Sequence, residues 1–229
     1  MITITQEDYE LASRKFYCEV ERIHGVGVDE NRYYAVSQEE QIEIRKQFGF
    51  SDTQKIILCV GELLPNKNQQ MVIRAMTEVV TKYPDIQLLF AGNGPEKERI
   101  EKLVKDLGII KNVKMLGYIT NLQEYQKIAD LSVSCSKREG LPLNIVEAML
   151  TGTPVIASVN RGHRELIKSG ENGYLVDSSE MMGKMILELL NDNSKRIEIS
   201  QNALKYAKKY RFDNVKQELE QLYFGQQKG

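Results

Sequence analysis

The chain of 229 residues has no tryptophan, five prolines, three cysteines and two histidines. Cys59 and Cys135 lie inside apolar, strand-like runs and Cys18 stands alone, which argues against a disulfide framework and against paired metal ligands. His24 and His163 are far apart in sequence, so no zinc site is expected and no metal is assigned. An excess of one charge is also lacking, since 31 basic and 32 acidic side chains leave a net charge of −1. Without a basic surplus no nucleic-acid footprint is expected, and any membrane contact would be peripheral. No run of about 18 apolar residues occurs, and the start, MITITQEDYELASRKFY, lacks the basic-then-apolar layout of a signal peptide. A cytoplasmic protein is expected. Hydrophobic residues make up 41% of the chain, enough to bury the core of one domain of ordinary size, and no second full domain is expected.

From residue 55 onward, short apolar runs alternate with helical patterns, the layout of an α/β domain with a doubly wound, Rossmann-like parallel sheet. Strands are predicted near 56–60 (IILCV), 87–91 (QLLFA), 113–116 (VKML), 131–135 (LSVSC) and 154–157 (PVIA), with a sixth near 173–176. These runs are apolar at nearly every position, as expected of strands covered by helices on both faces. Met71, Val72, Ala75, Met76, Val79, Val80 and Tyr83 recur at helical spacing, and Pro84 with Asp85 ends that helix. Residues 1–54 read as a connector, with a helix from Gln6 to about Tyr17, then IHGVGVD, then a polar helix from Ser37 to Phe48. Residues 55–229 read as the sheet domain, closing with three helices over 178–224, the first capped by Asp177 or Ser178 and closed by Asn191.

The segment SKREGLPLNIVEAMLTGTPVIAS, residues 136–158, follows one strand, builds a helix and enters the next. Gly140 permits close backbone approach, and Pro142 suits a first helical position because it lacks the amide hydrogen that would be unpaired there. A helix starting at about Pro142 on the C-terminal edge of such a sheet favours a phosphate. Glu147 stands on this helix among Ile145, Val146, Ala148, Met149 and Leu150, so its carboxylate is expected to be at least partly buried. A buried carboxylate needs strong hydrogen bonds, and its two oxygens can accept from both vicinal hydroxyls of a ribose. Taken alone, it reads equally well as a structural carboxylate tying down a neighbouring loop. Glu139, in the loop before the helix, could reach whatever is attached beyond the phosphate, although charge pattern alone favours a solvated glutamate. GNGP, residues 92–95, is too short for a dinucleotide fingerprint and reads as a turn.

These residues carry a resemblance. EGLPLNIVEAM, from Glu139 to Met149, resembles the Glu-x7-Glu signature of retaining, family 4 type (group 1) glycosyltransferases of the two-Rossmann-domain, GT-B architecture. The likeness extends in order and spacing over IILCVGELLPNKNQQMVIRAM, LLFAGNGPEKERI, VKMLGYITNLQEYQKIADLSVSCS and TPVIASVNRGHRELI, covering roughly residues 20–224. It implies that Glu139, assigned the catalytic role, contacts the donor sugar, that the amides around Gly140, Leu141, Leu143 and Asn144 hold the diphosphate and sugar, and that Glu147 takes the ribose hydroxyls. It also implies that Gly117 and Tyr118 line the base pocket with their backbone, and that Lys67, in the VGELLPNKN loop beside Gly61, neutralises the diphosphate as a point charge. Many relatives carry an arginine after that glycine, whereas Glu62 stands here, so Arg138 and Arg161 become candidates for the absent cation.

By the same resemblance this chain is the C-terminal, nucleotide-sugar-binding half of a clam-shaped enzyme. The family's N-terminal glycine-rich loop and histidine have no counterpart, and IHGVGVDENRYY resembles the interdomain crossover, with His24 where a proline is usual. The implied partners are a nucleotide-sugar donor, most simply uridine-linked, and an N-terminal acceptor-binding domain or a self-association partner. No cofactor is expected beyond the donor substrate. An alternative is a non-catalytic nucleotide-sugar-binding or interaction module, which measurable transfer by the purified chain would exclude. An epimerase of the same architecture is disfavoured by the EGLPLNIVEAM run.

Overall fold

The structure, a computed structural model, describes residues 1–225. Its centre is a six-stranded parallel sheet of β3 (Ile56–Val60), β4 (Gln87–Ala91), β5 (Val113–Gly117), β6 (Leu131–Ser134), β7 (Val155–Ser158) and β8 (Tyr174–Val176), in the order β5-β4-β3-β6-β7-β8. Alternate residues of each central strand serve opposite layers. Ile57 and Cys59 face the cluster built on α3 (Gln70–Lys82), α4 (Lys97–Asp106) and α8 (Ser179–Asn191), while Ile56 and Leu58 face α2 (Gln38–Gln47) and α5 (Leu122–Ile128). Because both faces are covered, apolar residues stand at every position of β3. β5 lies at the sheet edge, which explains why Lys114 is exposed in its middle. On the second face α6 (Leu143–Leu150) packs beside α9 (Asn193–Ala207), burying Val146, Met149, Ala203 and Ala207 together.

The elements follow the sequence expectation with local shifts. The β6 run stops at Ser134, one residue short, and β7 starts at Val155. α1 (Gln6–Lys15) ends before Phe16, which takes an extended conformation at φ −114 and ψ 137. Pro142 occupies the N-cap rather than the first helical position, with φ −77 and ψ 98, so α6 begins at Leu143. Ser178, and not Asp177, caps α8 by accepting from the Met181 amide.

Residues 1–50 do more than connect. Ile44 of α2, and Phe50 after it, enter the core beside Leu58 and Ile128. Two short parallel strands, β1 (Ile2–Thr3) and β2 (Glu21–Arg22), flank α1 in an appendage fastened to α7 (Arg161–Leu166) by the Arg22–Glu165 ion pair at 2.7 Å. α10 (Phe212–Phe224) folds back on this region through buried Val215, while the Glu218 carboxylate meets His24.

Candidate functional site

In an open parallel sheet the crevice forms where the strand order reverses, because the loops on either side diverge. Here that point lies between β3 and β6. The loop after β3 carries Gly61 and Lys67, and the loop after β6 carries Arg138, Glu139 and Gly140. They meet across the crevice, with the Lys67 ammonium donating to Glu139 Oε1 at 2.6 Å. The backbone locks the same junction, since the Lys137 amide donates to Asn66 O at 2.8 Å and Asn66 Nδ2 donates to Arg138 O at 3.0 Å.

Gly61 shows why this loop needs glycine, because its φ of +147 is a conformation that side chains rarely adopt. The next loops crowd against it. A Cβ on Gly92 would come within 2.1 Å of the Gly61 carbonyl, so GNGP is a turn pressed onto its neighbour. Gly117, at φ +68, ends β5, and its carbonyl accepts from the Gly92 amide at 2.8 Å. Tyr118 beside it is 79% exposed.

α6 rises from the crevice with no side chain capping its N-terminus, which leaves its first amides free for an anion. The Asn144 side chain reaches back to the sheet, donating to Val60 O at 3.2 Å. Leu141 and Leu143 are half-buried at the entrance. Glu147, one turn further, is half-buried, with Tyr33 and Arg32 as its polar neighbours. Burial pushes its carboxyl up to about 7, against the lowering pull of Tyr33 and Arg32.

The two substitute cations fare differently. Arg138 is exposed at the crevice rim. Arg161 is engaged elsewhere: it pairs with Asp8, lies 3.3 Å from Glu7 and donates to Thr5 Oγ1 at 2.9 Å. The acidic first turn of α1 therefore holds it, a long-range contact that spacing could not reveal.

Beneath the Glu139 loop lies a support that the sequence did not announce. Asn160 caps α7 by accepting from the His163 amide and donates to Ser136 O at 2.8 Å, and Ser158 Oγ donates to that same carbonyl at 2.6 Å. His163 is fully buried, with Nδ1 donating to Ser158 O at 2.6 Å and Nε2 accepting from Ser134 Oγ at 3.0 Å. Burial lowers its pKa, and the neutral ring fits this donor and acceptor pattern. Among the described residues no group of three or more His, Cys, Asp or Glu side chains could hold a metal ion, and no helix is long and apolar enough to cross a membrane.

Comparison with known proteins points one way. The family Glycosyl transferases group 1 matches residues 40–206. EpsD of Bacillus subtilis, named as a glycosyltransferase, is 39% identical over 178 residues, covering 77% of this chain and 47% of EpsD. The chain spans about half the length of the curated relatives it matches. Anabaena HepE, solved in complex with UDP, superposes with a TM-score of 0.86 at 24% identity, covering 96% of this chain and 62% of that one. The C-terminal domain of the group 1 glycosyl transferase LpcC from Francisella tularensis aligns with a TM-score of 0.71 at 28% identity, covering 81% of this chain and 99% of that domain. The chain therefore belongs to the group 1 glycosyltransferases, and its sheet is a Rossmann-like domain of the GT-B fold.

Proposed function

We propose that the chain is the donor-binding half of a retaining, family 4 type glycosyltransferase that uses a uridine-linked diphosphate sugar in polysaccharide or glycoconjugate synthesis. The observation that carries this reading is the convergence of Lys67, Glu139 and the uncapped start of α6 at the switch point of the sheet. Lys67 and the amides of Gly140, Leu141, Leu143 and Asn144 would stabilise the departing diphosphate, a charge that grows in the transition state. Glu139 would contact the sugar, Glu147 the ribose hydroxyls, and the backbone at Gly117 and Tyr118 the base. HepE has been solved with UDP and with UDP-glucose, which supports a uridine-linked donor. Since the chain spans 47% of EpsD, full transfer is proposed to need an acceptor-binding half supplied by a longer protein or a partner chain.

Titration calorimetry with UDP, GDP, ADP and their sugars tests the reading, and a uridine ligand is expected to give the strongest heat. Glu139→Ala frees Lys67 from its pair, so free UDP should bind several-fold tighter while the UDP-sugar binds about tenfold weaker. No heat from any nucleoside diphosphate or sugar at millimolar concentration, with the protein folded, would end the proposal.

A further inference from the structure

The loop that carries Glu139 is rooted at Ser136, just past β6, and the end of β7 holds that root. Ser158 and Asn160 are buried while Val159 between them is 45% exposed, the alternation of an extended chain. Both buried side chains reach one atom, the Ser136 carbonyl oxygen, with Ser158 Oγ donating at 2.6 Å and Asn160 Nδ2 at 2.8 Å. A carbonyl oxygen has two lone pairs, so both are taken. The two donors are not equivalent. A serine hydroxyl can swing about its Cβ–O bond, whereas the Asn160 amide is fixed at its other end, where Oδ1 accepts from the His163 amide at 3.0 Å as the N-cap of α7. One side chain thus ties the first turn of α7 to the root of the Glu139 loop. Within that turn lies Gly162, where an added Cβ would stand 2.8 Å from the Glu139 carbonyl carbon. From the opposite flank Asn66 accepts from the Lys137 amide and donates to Arg138 O. The residues leading to Glu139 are therefore pinned on both sides, and its carboxylate arrives 2.6 Å from the Lys67 ammonium.

We infer that Asn160 is a positioning residue for sugar transfer, setting through the Ser136 carbonyl where the Glu139 carboxylate stands against the donor sugar. This rests on the proposed role of Glu139. Asn160 is 6% exposed and acts only through the loop it holds. A group displaced by about 1 Å loses much of what its contact contributes, so a backbone clamp beneath a site matters beyond the hydrogen bond it makes. The nucleotide is held by other parts of the crevice, namely Lys67 and the start of α6. Loosening the clamp should therefore weaken a UDP-sugar and leave free UDP bound equally or more tightly, because a displaced Glu139 also releases Lys67.

The test compares the unmodified chain with Asn160→Ser, which keeps an N-cap oxygen but is too short to hold Ser136, with Ser158→Ala, and with the two combined. Calorimetry reads UDP against UDP-glucose and UDP-N-acetylglucosamine, the tighter of the two sugars being carried through the series. ¹⁵N-lysine NMR, with Lys67→Met assigning the signal, reads the Lys67 ammonium in the free protein. The expected result is UDP-sugar binding weakened about three-fold by each single change and about tenfold or more by both, UDP not weakened, and a shifted Lys67 signal. If the combination does not fold, Asn160→Ser alone carries the test, since the cap is kept and Ser158 still donates to the carbonyl. A merely structural role would lower the folded fraction and so weaken both ligands alike. A UDP-sugar to UDP affinity ratio equal to that of the unmodified chain, or an unmoved Lys67 signal, overturns the inference. If the unmodified chain binds neither sugar, the functional reading falls and this inference with it; if it binds one and the ratio holds in the variants, the inference alone falls.

Discussion

Glu147 is the residue where stability and proposed function oppose each other. Its folded pKa, about 7, lies above the ordinary value of 4.5, so the folded chain holds a proton that the unfolded chain has released between those two pH values. Stability from this group is thus lost as pH rises from about 4.5 and stays lost above about 7. Glu147→Gln removes the penalty, and the variant should gain about 1 to 3 kcal/mol at pH 8 and nothing at pH 4. Denaturant unfolding at both pH values checks this, and a variant no more stable at pH 8 would show that the carboxylate is fully compensated in place. The gain should come with weaker nucleotide binding, as expected where a site holds a strained or poorly solvated group.

At the scale of elements, the six-residue α7 acts as a wedge behind the crevice. A Cβ on Gly162 would stand 2.4 Å from the Gly140 carbonyl and 2.8 Å from the Glu139 carbonyl carbon, both backbone atoms that move only with the whole loop. Gly162→Ala should therefore weaken UDP-sugar binding about tenfold or more by displacing Glu139, with free UDP less affected. Calorimetry with the two ligands decides; equal affinity for UDP-sugar in variant and parent would mean the loop yields without consequence. This element also marks where sequence stops being legible. The strands, α3 and α8 could be read directly, because burial on both faces or along one stripe leaves a periodic apolar pattern. Lys67, Glu139 and Glu147 could be read because a motif fixes their spacing along the chain. Tyr33, Asn160, Gly162 and His163 carry no such signal: each acts by packing against a backbone or a side chain far away in sequence. Arg161 shows the same limit from the other side, since a free cation in the sequence is in the fold a partner of Asp8 and Glu7.

At the scale of the whole molecule, the appendage is held by ion pairs on one side and leaves apolar side chains uncovered on another. Two of its charged side chains are turned to α7, where Arg22 meets Glu165 and Asp8 meets Arg161. Its apolar side chains turn outward: Ile2, Ile4, Leu11 and Phe16 line a shallow groove of about 450 Å³, and Tyr17 stands fully in solvent. Tyr223 and Phe224 are also exposed at the end of α10, although Val215 in the same helix is buried. Contiguous apolar surface of this kind is uncommon on a soluble monomer and marks a contact surface. We propose that it packs against an acceptor-binding half, and that without that half the chain pairs with a second copy through the same exposed apolar side chains. Sedimentation velocity should then show a coefficient rising with concentration. Leu11→Lys together with Phe16→Ser, both at exposed positions, should return the chain to a monomer without lowering its Tm. A strictly monomeric parent, or association unaffected by those two changes, would mean the groove is only a loosely packed edge of the appendage.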